Sequence, residues 1–214
     1  RSREFYELKS EARQKGGNPD RVVLPPIIDF DAIFLPDNAT RVPLACAALA
    51  YEEFPMGDFK PTKDSPYIPM LGLAGWNNES LVTQGGPYIR TGRFADVWLV
   101  PLGEDPGWSL SETATTFYEG FRVEYGRTPS PLEAVVSDAG LLMAAASKVT
   151  IQSRADFLAA LLAAEATNVV TGATHFDETT RRATREIQIL TVNKDQILPW
   201  KVYEALPEDR PWDE

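Results

Sequence analysis

The chain has 214 residues, of which 43% are hydrophobic and 24% charged, so it can bury the core of one or two globular domains. Asp and Glu outnumber Lys and Arg by 31 to 21, and the net charge of −10 argues against binding to nucleic acid or anionic lipid. One cysteine and one histidine exclude an internal disulfide and any metal site built from several such ligands, and no apolar stretch is long enough to span a bilayer.

The first hundred residues alternate between helix and strand patterns. A short polar helix is predicted over 4–15, an apolar strand over 31–36, and a helix from Thr40 to Tyr51. A polar, proline-containing loop then leads to a second apolar strand over 67–73. A helical turn over 80–84 and a third strand over 94–100 follow. This order is typical of an α/β sheet.

Three helices are predicted in succession after residue 108. A capping box of Ser109 and Glu112 predicts the start of the first, and Gly126 its end. Pro131 and Ser153 begin the second and the third. The first two helices each carry an apolar stripe at helical spacing, formed by Phe117, Phe121 and Tyr125 in one and by Leu132, Val135, Ala139, Leu142 and Ala146 in the other.

The last fifty residues contain two further strand patterns. The first covers 168–176, and the second covers 186–192, where Ile187 and Ile189 alternate with polar residues. The tail from Trp200 carries acids and prolines after Leu206 and is predicted to be loosely held.

Several short motifs follow one another in an order typical of one known fold. They are Asp-Ala-Ile-Phe-Leu-Pro at 31–36, Leu-Gly-Leu-Ala-Gly-Trp-Asn at 71–77, Gly-Gly-Pro-Tyr at 85–88, Phe-Tyr-Glu-Gly-Phe at 117–121, Tyr-Gly-Arg-Thr-Pro at 125–129, the alanine-rich segment 134–146, and Val-Thr-Gly at 170–172 with Phe-Asp at 176–177. Over 21–199 the chain resembles the C-terminal half of type I periplasmic-binding proteins. This is the fold of leucine/isoleucine/valine-binding proteins and of the LpoA-type lipoproteins that activate penicillin-binding proteins.

The resemblance implies an α/β fold in which a parallel sheet is flanked by helices, with part of a second lobe. Residues 1–99 would belong to the second lobe, 100–148 to a helical segment of the first lobe, 149–200 to the return into the second lobe, and 201–214 to an acidic tail. Most of the first lobe has no counterpart, which suggests a fragment or one piece of a longer polypeptide. The two apolar helix stripes would then pack on each other, on the second lobe or on another chain that supplies the missing lobe, or remain exposed.

No catalytic arrangement is visible in the sequence. Cys46 lies in a predicted helix among alanines, where an inert buried thiol is typical. His175 lies at the end of a predicted strand without a recognisable nucleophile. No Gly-x-Ser-x-Gly elbow, phosphate-binding loop or dinucleotide fingerprint occurs, and the adjacent acid pairs are typical of a solvated surface. The sequence therefore predicts a protein that is not an enzyme and that needs no cofactor or metal.

A ligand site is predicted where two strands end, because ligands of open α/β sheets bind beyond the carboxyl ends of the strands. Asp37 and Asn38 follow the first strand and offer a carboxylate and an amide; Trp76 and Asn77 follow the second and offer an apolar wall and a mixed donor and acceptor. Two structural alternatives stay open. Asp37 and Asn38 would form the turn that enters a helix, and Trp76 would pack beneath the next loop.

The resemblance also suggests a function outside the cytoplasm, in the periplasm of a bacterial cell envelope. The amino-acid binders carry an acid for the ligand ammonium where this chain has Ala74. The first hypothesis is therefore a non-enzymatic binding or regulatory module, of the lipoprotein type, that docks to a cell-envelope protein. The alternative is the solute-binding receptor of an ABC transporter for amino acids or other small polar solutes. The N-terminal residues by themselves favour neither a cytoplasmic protein nor one whose signal lies upstream.

Overall fold

The computed structural model describes residues 2–22, 24, 27–62, 65–99, 109–164 and 169–206. Its helices are α1 (Ser2–Gln14), α2 (Val42–Tyr51), α3 (Glu79–Gly85), α4 (Glu112–Tyr125), α5 (Pro131–Ala146), α6 (Arg154–Leu162) and α7 (Trp200–Glu204). Its strands are β1 (Ile33–Phe34), β2 (Met70–Gly72), β3 (Arg93–Asp96), β4 (Thr174–Phe176), β5 (Ala183–Arg185), β6 (Gln188–Asn193) and β7 (Gln196–Pro199). Within these ranges no helix is both long and apolar enough to cross a membrane.

Five strands form one mixed sheet in the order β1-β2-β3-β6-β7. The pairs β1–β2 and β2–β3 are parallel, whereas β6 and β7 join as an antiparallel hairpin on β3. A second, two-stranded sheet consists of β4 and β5. The predicted α/β fold, with parallel strands flanked by helices, is confirmed.

The main core lies between this sheet and helices α2 and α3. Val42 and Cys46 from α2, Leu81 from α3, and Met70 and Phe94 from the sheet have 2% or less of their surface exposed. Cys46 Sγ lies 3.7 Å from Met70 Sδ, and burial raises the pKa of the Cys46 thiol to about 11. A thiol held protonated in this way is an inert core residue, as its place among alanines predicted.

The predicted helices before residue 163 are all present, but the strands are shorter than predicted and three elements were missed. The missed elements are β5, β7 and helix α7. The predicted loose tail is wrong over Trp200–Glu204, since α7 forms there and Tyr203 is 5% exposed. The rest of that tail from residue 207, position 168 of the fourth predicted strand and position 100 of the third lie outside the described residues.

The cap of α4 differs from the prediction and gives a direct test. Ser111, not Ser109, precedes the helix, and its Oγ accepts the backbone N–H of Ala114 at 3.2 Å. We expect Ser111→Ala to lower the free energy of unfolding by about 1 kcal/mol, because a helix N–H loses its partner. Ser109→Ala is the matched control, and urea unfolding followed by circular dichroism measures both. Equal effects of the two substitutions would contradict this cap.

Helices α4 and α5 bury only part of their apolar surface. Trp98 packs edge-on against Phe117 with 5.9 Å between ring centroids, and together with Ala114, Ala134 and Val170 it forms a second, smaller core. On the outside, four residues form an exposed surface, here called the α4–α5 patch: Tyr125 (63% exposed), Leu132 (71%), Val136 (62%) and Met143 (53%). Of the outcomes predicted for the two apolar stripes, the structure therefore shows partial packing against the rest of the chain and partial exposure.

The buried side of α5 agrees only in part with the predicted stripe. Leu142 and Ala146 are buried as predicted and Val135 is half-buried. Leu132 and Ala139 are exposed, and Ala134 and Asp138 are buried in their place. The reason is polar: the Asp138 carboxylate accepts the backbone N–H groups of Val170 and Thr171 at 2.6 and 3.1 Å. These hydrogen bonds hold the Asp138 side of α5 against the turn at Val170 and Thr171. A buried carboxylate without donors would cost more free energy than leaving an aliphatic side chain exposed.

Candidate functional site

The carboxyl ends of the three parallel strands lie at one edge of the sheet, and their exit loops are in contact. The backbone N–H of Ala39, after β1, donates to the carbonyl of Gly75, after β2, at 2.9 Å. A Cβ added at Gly75 would lie 3.1 Å from the Asp37 carbonyl oxygen, so this contact requires glycine or a shift of the loop. The fold therefore brings the β1 and β2 exits together, as expected for neighbouring parallel strands.

Asp37 and Asn38 build the turn that leads into α2. Asn38 Oδ1 accepts the backbone N–H groups of Thr40 and Arg41, both at 3.1 Å, and the Thr40 hydroxyl at 2.7 Å. Asp37 Oδ1 accepts the Asn38 N–H at 2.8 Å, and its carboxylate remains 46% exposed with Arg41 at 4.0 Å. The amide oxygen of Asn38 is thus used by the helix entry, while the Asp37 carboxylate stays open to solvent.

Trp76 belongs to the core. Its side chain is fully buried, its Nε1 donates to the Leu35 carbonyl at 3.0 Å, and its ring lies 5.8 Å from that of Phe94. A Cβ added at Gly72 would approach the indole to 2.2 Å, so the ring occupies the space that glycine leaves on β2. Of the two roles left open by the sequence, the structure shows packing for Trp76, and its indole presents no surface to a ligand.

Asn77 connects the β2 exit to the β3 exit. Its Nδ2 donates to Asp96 Oδ2 at 2.8 Å and to the Trp98 carbonyl at 2.7 Å. Asp96 ends β3, is 5% exposed, and also accepts the Val97 N–H at 2.6 Å. Burial raises the pKa of the Asp96 carboxyl, against the opposing effect of the hydrogen bonds from Asn77 and the backbone.

Sequence reasoning missed Asp96 because the third strand was predicted to run through it to residue 100. An acid inside an otherwise apolar strand pattern was the available signal, since such a residue marks a strand end or a buried polar contact. In the structure Asp96 ends β3 and also makes a buried polar contact with Asn77.

A cavity of about 330 Å³ lies where the β2 and β3 exits face the connection between α4 and α5. Its apolar wall includes Val82, Leu99 and Ile197, and its polar groups include Asn77, Glu79 and Arg127. The volume is at the lower end of the range for small-molecule sites. The mixture of an apolar wall with a few polar groups is also typical of such sites.

Arg127 forms a partly exposed ion pair with Glu133. Its two terminal nitrogens contact both carboxylate oxygens of Glu133, which also caps α5 through Ser130. Arg127, followed by the Ser130 backbone N–H, lowers the pKa of the Glu133 carboxyl to about 2, and Glu133 in turn raises the pKa of Arg127. Both groups therefore stay charged near neutral pH and form a bidentate ion pair.

The described residues contain no cluster of three or more His, Cys, Asp and Glu side chains arranged for a metal ion. His175 is exposed on β4, opposite Thr184 of β5, and Cys46 is buried in the main core. The chemistry visible at the sheet edge is therefore hydrogen bonding, charge and apolar contact.

Comparison with known proteins establishes the fold. No family model and no curated protein matches the sequence. Solved structures do match. A leucine-binding protein from Thermotoga maritima has 17% sequence identity and a TM-score of 0.59, and the match covers 91% of this chain and 47% of that one. A putative branched-chain amino acid ABC transporter protein from Rhodospirillum rubrum has 22% identity and a TM-score of 0.60, and the match covers 90% of this chain and 47% of that one. A solute-binding protein from R. palustris in complex with benzoate has 14% identity and a TM-score of 0.57, and the match covers 92% of this chain and 46% of that one. The chain thus has the type I periplasmic-binding fold and spans about half the length of these proteins, whose names are those of binding and transport proteins and not of enzymes.

Proposed function

We propose that this chain is one half of a non-enzymatic solute-binding protein of an ABC transporter. The main observation behind this proposal is the sheet edge at which three strand exits meet beside a cavity of about 330 Å³. The names of the matching structures support the proposal, since they are a leucine-binding protein, a putative branched-chain amino acid ABC transporter and a solute-binding protein in complex with benzoate. Under this proposal the protein acts in the bacterial periplasm and delivers a small polar solute to a membrane permease.

We further propose that another polypeptide segment supplies the other half. The chain covers 47% of the Thermotoga maritima protein, so more than half of that chain has no counterpart here. In the part of the chain that the structure describes, apolar side chains are exposed in the α4–α5 patch and at the register partners Phe34 on β1 and Leu71 on β2, which are 54% and 37% exposed. Parallel sheets are normally covered on both faces, so a missing segment would explain both surfaces.

A thermal-shift titration with leucine, isoleucine, valine and benzoate tests the solute-binding role. We expect one of these solutes to raise the free energy of unfolding by about 2.7 kcal/mol at one hundred times its dissociation constant. Thr128→Tyr places a ring at the cavity, which Thr128 lines, and should remove most of this gain. Thr83→Tyr, the same substitution at an exposed position of α3, should leave it unchanged. A chain that ignores all four solutes at millimolar concentration would contradict the proposal.

The α4–α5 patch favours a second candidate, a module that docks to a cell-envelope protein. Four exposed apolar side chains on two adjacent helices are typical of an interaction surface. On this reading Val136→Lys would abolish partner binding without changing any effect of solutes. Sedimentation of the chain with and without an envelope extract would then show a complex that the variant does not form.

A further inference from the structure

The segment that leaves the sheet after β3 takes part in both cores of the protein. Trp98, 3% exposed, lies in the second core with Ala114 of α4 and Ala134 of α5, whereas Leu99, 5% exposed, lies in the main core. Residues 97–99 are here called the crossing segment. A movement of this segment would move α4 and α5 relative to the sheet, because Trp98 packs against residues of both helices.

The Asn77 side-chain amide ties the crossing segment to the β2 exit. Its Nδ2 donates to Asp96 Oδ2 at 2.8 Å and to the Trp98 carbonyl at 2.7 Å. Asp96 Oδ1 also accepts the Val97 N–H at 2.6 Å, so the carboxylate is fixed on the same segment. Hydrogen bonds to a carboxylate are about twice as strong as neutral ones, and Asp96 is only 5% exposed, so little water competes for it.

Asn77 is itself held on the sheet side. Its backbone N–H donates to the Ala74 carbonyl at 3.0 Å, at the end of the 3-10 turn Ala74–Trp76. The indole of Trp76, the preceding residue, is fully buried in the main core. The amide therefore extends from a fixed part of the chain, and both groups that it holds belong to the connection toward α4.

The lining of the cavity comes from both of the parts that this contact joins. Val82 of α3 and Ile197 of β7 belong to the sheet and its helices, whereas residues 127–131 connect α4 and α5. Asn77 and Leu99 line the same cavity. The separation of its two walls thus depends on where the crossing segment places α4 and α5.

We infer that Asn77 is a positioning residue for the solute site: its two N–H groups hold the crossing segment at Asp96 and Trp98 and so set the separation of the cavity walls. Asn77 then acts through the backbone, which differs from the direct ligand contact expected from the sequence. The inference rests on the proposed solute-binding function, because it concerns the same cavity.

Two spin labels measure the placement of α5 on the sheet without any solute. Thr83→Cys on α3 and Ala144→Cys on α5 provide exposed label sites, and Cys46 stays unlabelled because it is fully buried. Pulsed electron paramagnetic resonance gives the distribution of the distance between them. We expect this distribution to be at least about twice as broad in Asn77→Ala, because the crossing segment loses its support.

Ser153→Ala is the control for a general loss of stability. It removes the hydroxyl that accepts the Asp156 N–H at 3.1 Å at the start of α6, away from the crossing segment. The distance distribution of this variant should keep its original width. Equal broadening in Ser153→Ala and Asn77→Ala would contradict the inference, since the effect would then follow stability alone.

Asn77→Asp keeps the size of the side chain and tests the two N–H groups directly. Its carboxylate would face Asp96 and the Trp98 carbonyl without a donor, so the distribution should again broaden. Lowering the pH from about 8 to about 5 should narrow it, because a proton shared between two adjacent carboxylates restores one donor. A loss of packing would not be repaired by a proton, so continued broadening at the lower pH would overturn the inference.

Solute affinity completes the test, with leucine, isoleucine, valine and benzoate as probes in calorimetric titration. A solute that binds the original chain should bind Asn77→Ala about three- to tenfold more weakly, since a smaller fraction of the protein has the walls in place. Ser153→Ala should bind it as the original chain does.

The outcomes separate this inference from the proposed function. If a solute binds the original chain and Asn77→Ala equally well, or if the distance distribution of Asn77→Ala keeps its width, the positioning role is wrong while solute binding stands. If none of the four solutes binds the original chain, the proposed function fails, and the positioning role fails with it.

Discussion

Asp138→Ala is expected to lower the free energy of unfolding by about 3–5 kcal/mol, the usual cost of breaking a buried charged network. The Asp138 carboxylate has no exposed surface and accepts hydrogen bonds from two backbone N–H groups and from the Thr171 hydroxyl. Arg185 lies 3.8 Å away and also donates to the Thr171 hydroxyl at 3.0 Å. Alanine would leave three donors and part of a buried cation without an acceptor.

This network joins three distant parts of the chain, namely helix α5, the turn at Val170 and Thr171, and strand β5. Urea unfolding gives the total loss in stability, and hydrogen exchange of the Val170 and Thr171 amides should show that their protection is lost first. Asp29→Ala is the matched control, since Asp29 is an exposed acid. A loss below about 1 kcal/mol in Asp138→Ala would mean that the network contributes no more than a surface ion pair does.

Trp76→Ala is expected to cost about 3–5 kcal/mol of unfolding free energy, as for other large-to-small changes in a packed core. The substitution removes a fully buried ring, its contact with Phe94 and the hydrogen bond to the Leu35 carbonyl. The void left by the missing indole would not collapse easily, because the neighbouring Gly72 and Gly92 have no side chains to fill it. Differential scanning calorimetry measures the change, with Tyr51→Ala, an aromatic residue 86% exposed, as control.

The same experiment decides between two roles for this residue. If Trp76 were a wall of the ligand site, its truncation would weaken solute binding and leave stability nearly unchanged. A core residue gives the opposite pattern, and Trp76→Phe, which retains most of the apolar contact, should recover much of the stability. A variant Trp76→Ala that remains as stable as the original chain would show that the indole does not support the core.

The helices were predictable because their signals are local. Ser130 and Pro131 start α5, with Glu133 completing the capping box, and Gly126 follows α4 in a left-handed conformation with a φ of 66°. These interactions connect residues within four positions of each other. The parallel strands could be located from their apolar runs for a similar reason, although their ends could not.

The two missed strands, β5 and β7, are short and have no clear alternation of polar and apolar residues. Each pairs with the strand before it in a hairpin, so their partners are near in the chain and the missing signal is the residue pattern itself. At the site the limit is sequence distance: the position of Asn77 after a strand was predictable, but its partner Asp96 lies nineteen positions away. A cross-strand or cross-loop hydrogen bond leaves no local pattern in the sequence.

The amino-acid sequence alone determined the α/β class, the order of helices and strands up to α6, and the edge at which the first two strand exits lie. These features follow from spacing and capping, which act between near neighbours. Only the tertiary structure decided that Trp76 lies in the core, that Asn38 serves a helix entry, and that the cavity forms beside Asn77. The helix entry of Asn38 is a local arrangement, and the structure decided it between two roles that the sequence left open. The places of Trp76 and of the cavity depend on groups distant in the sequence, since a buried ring needs contact on all sides and a buried polar atom needs a partner.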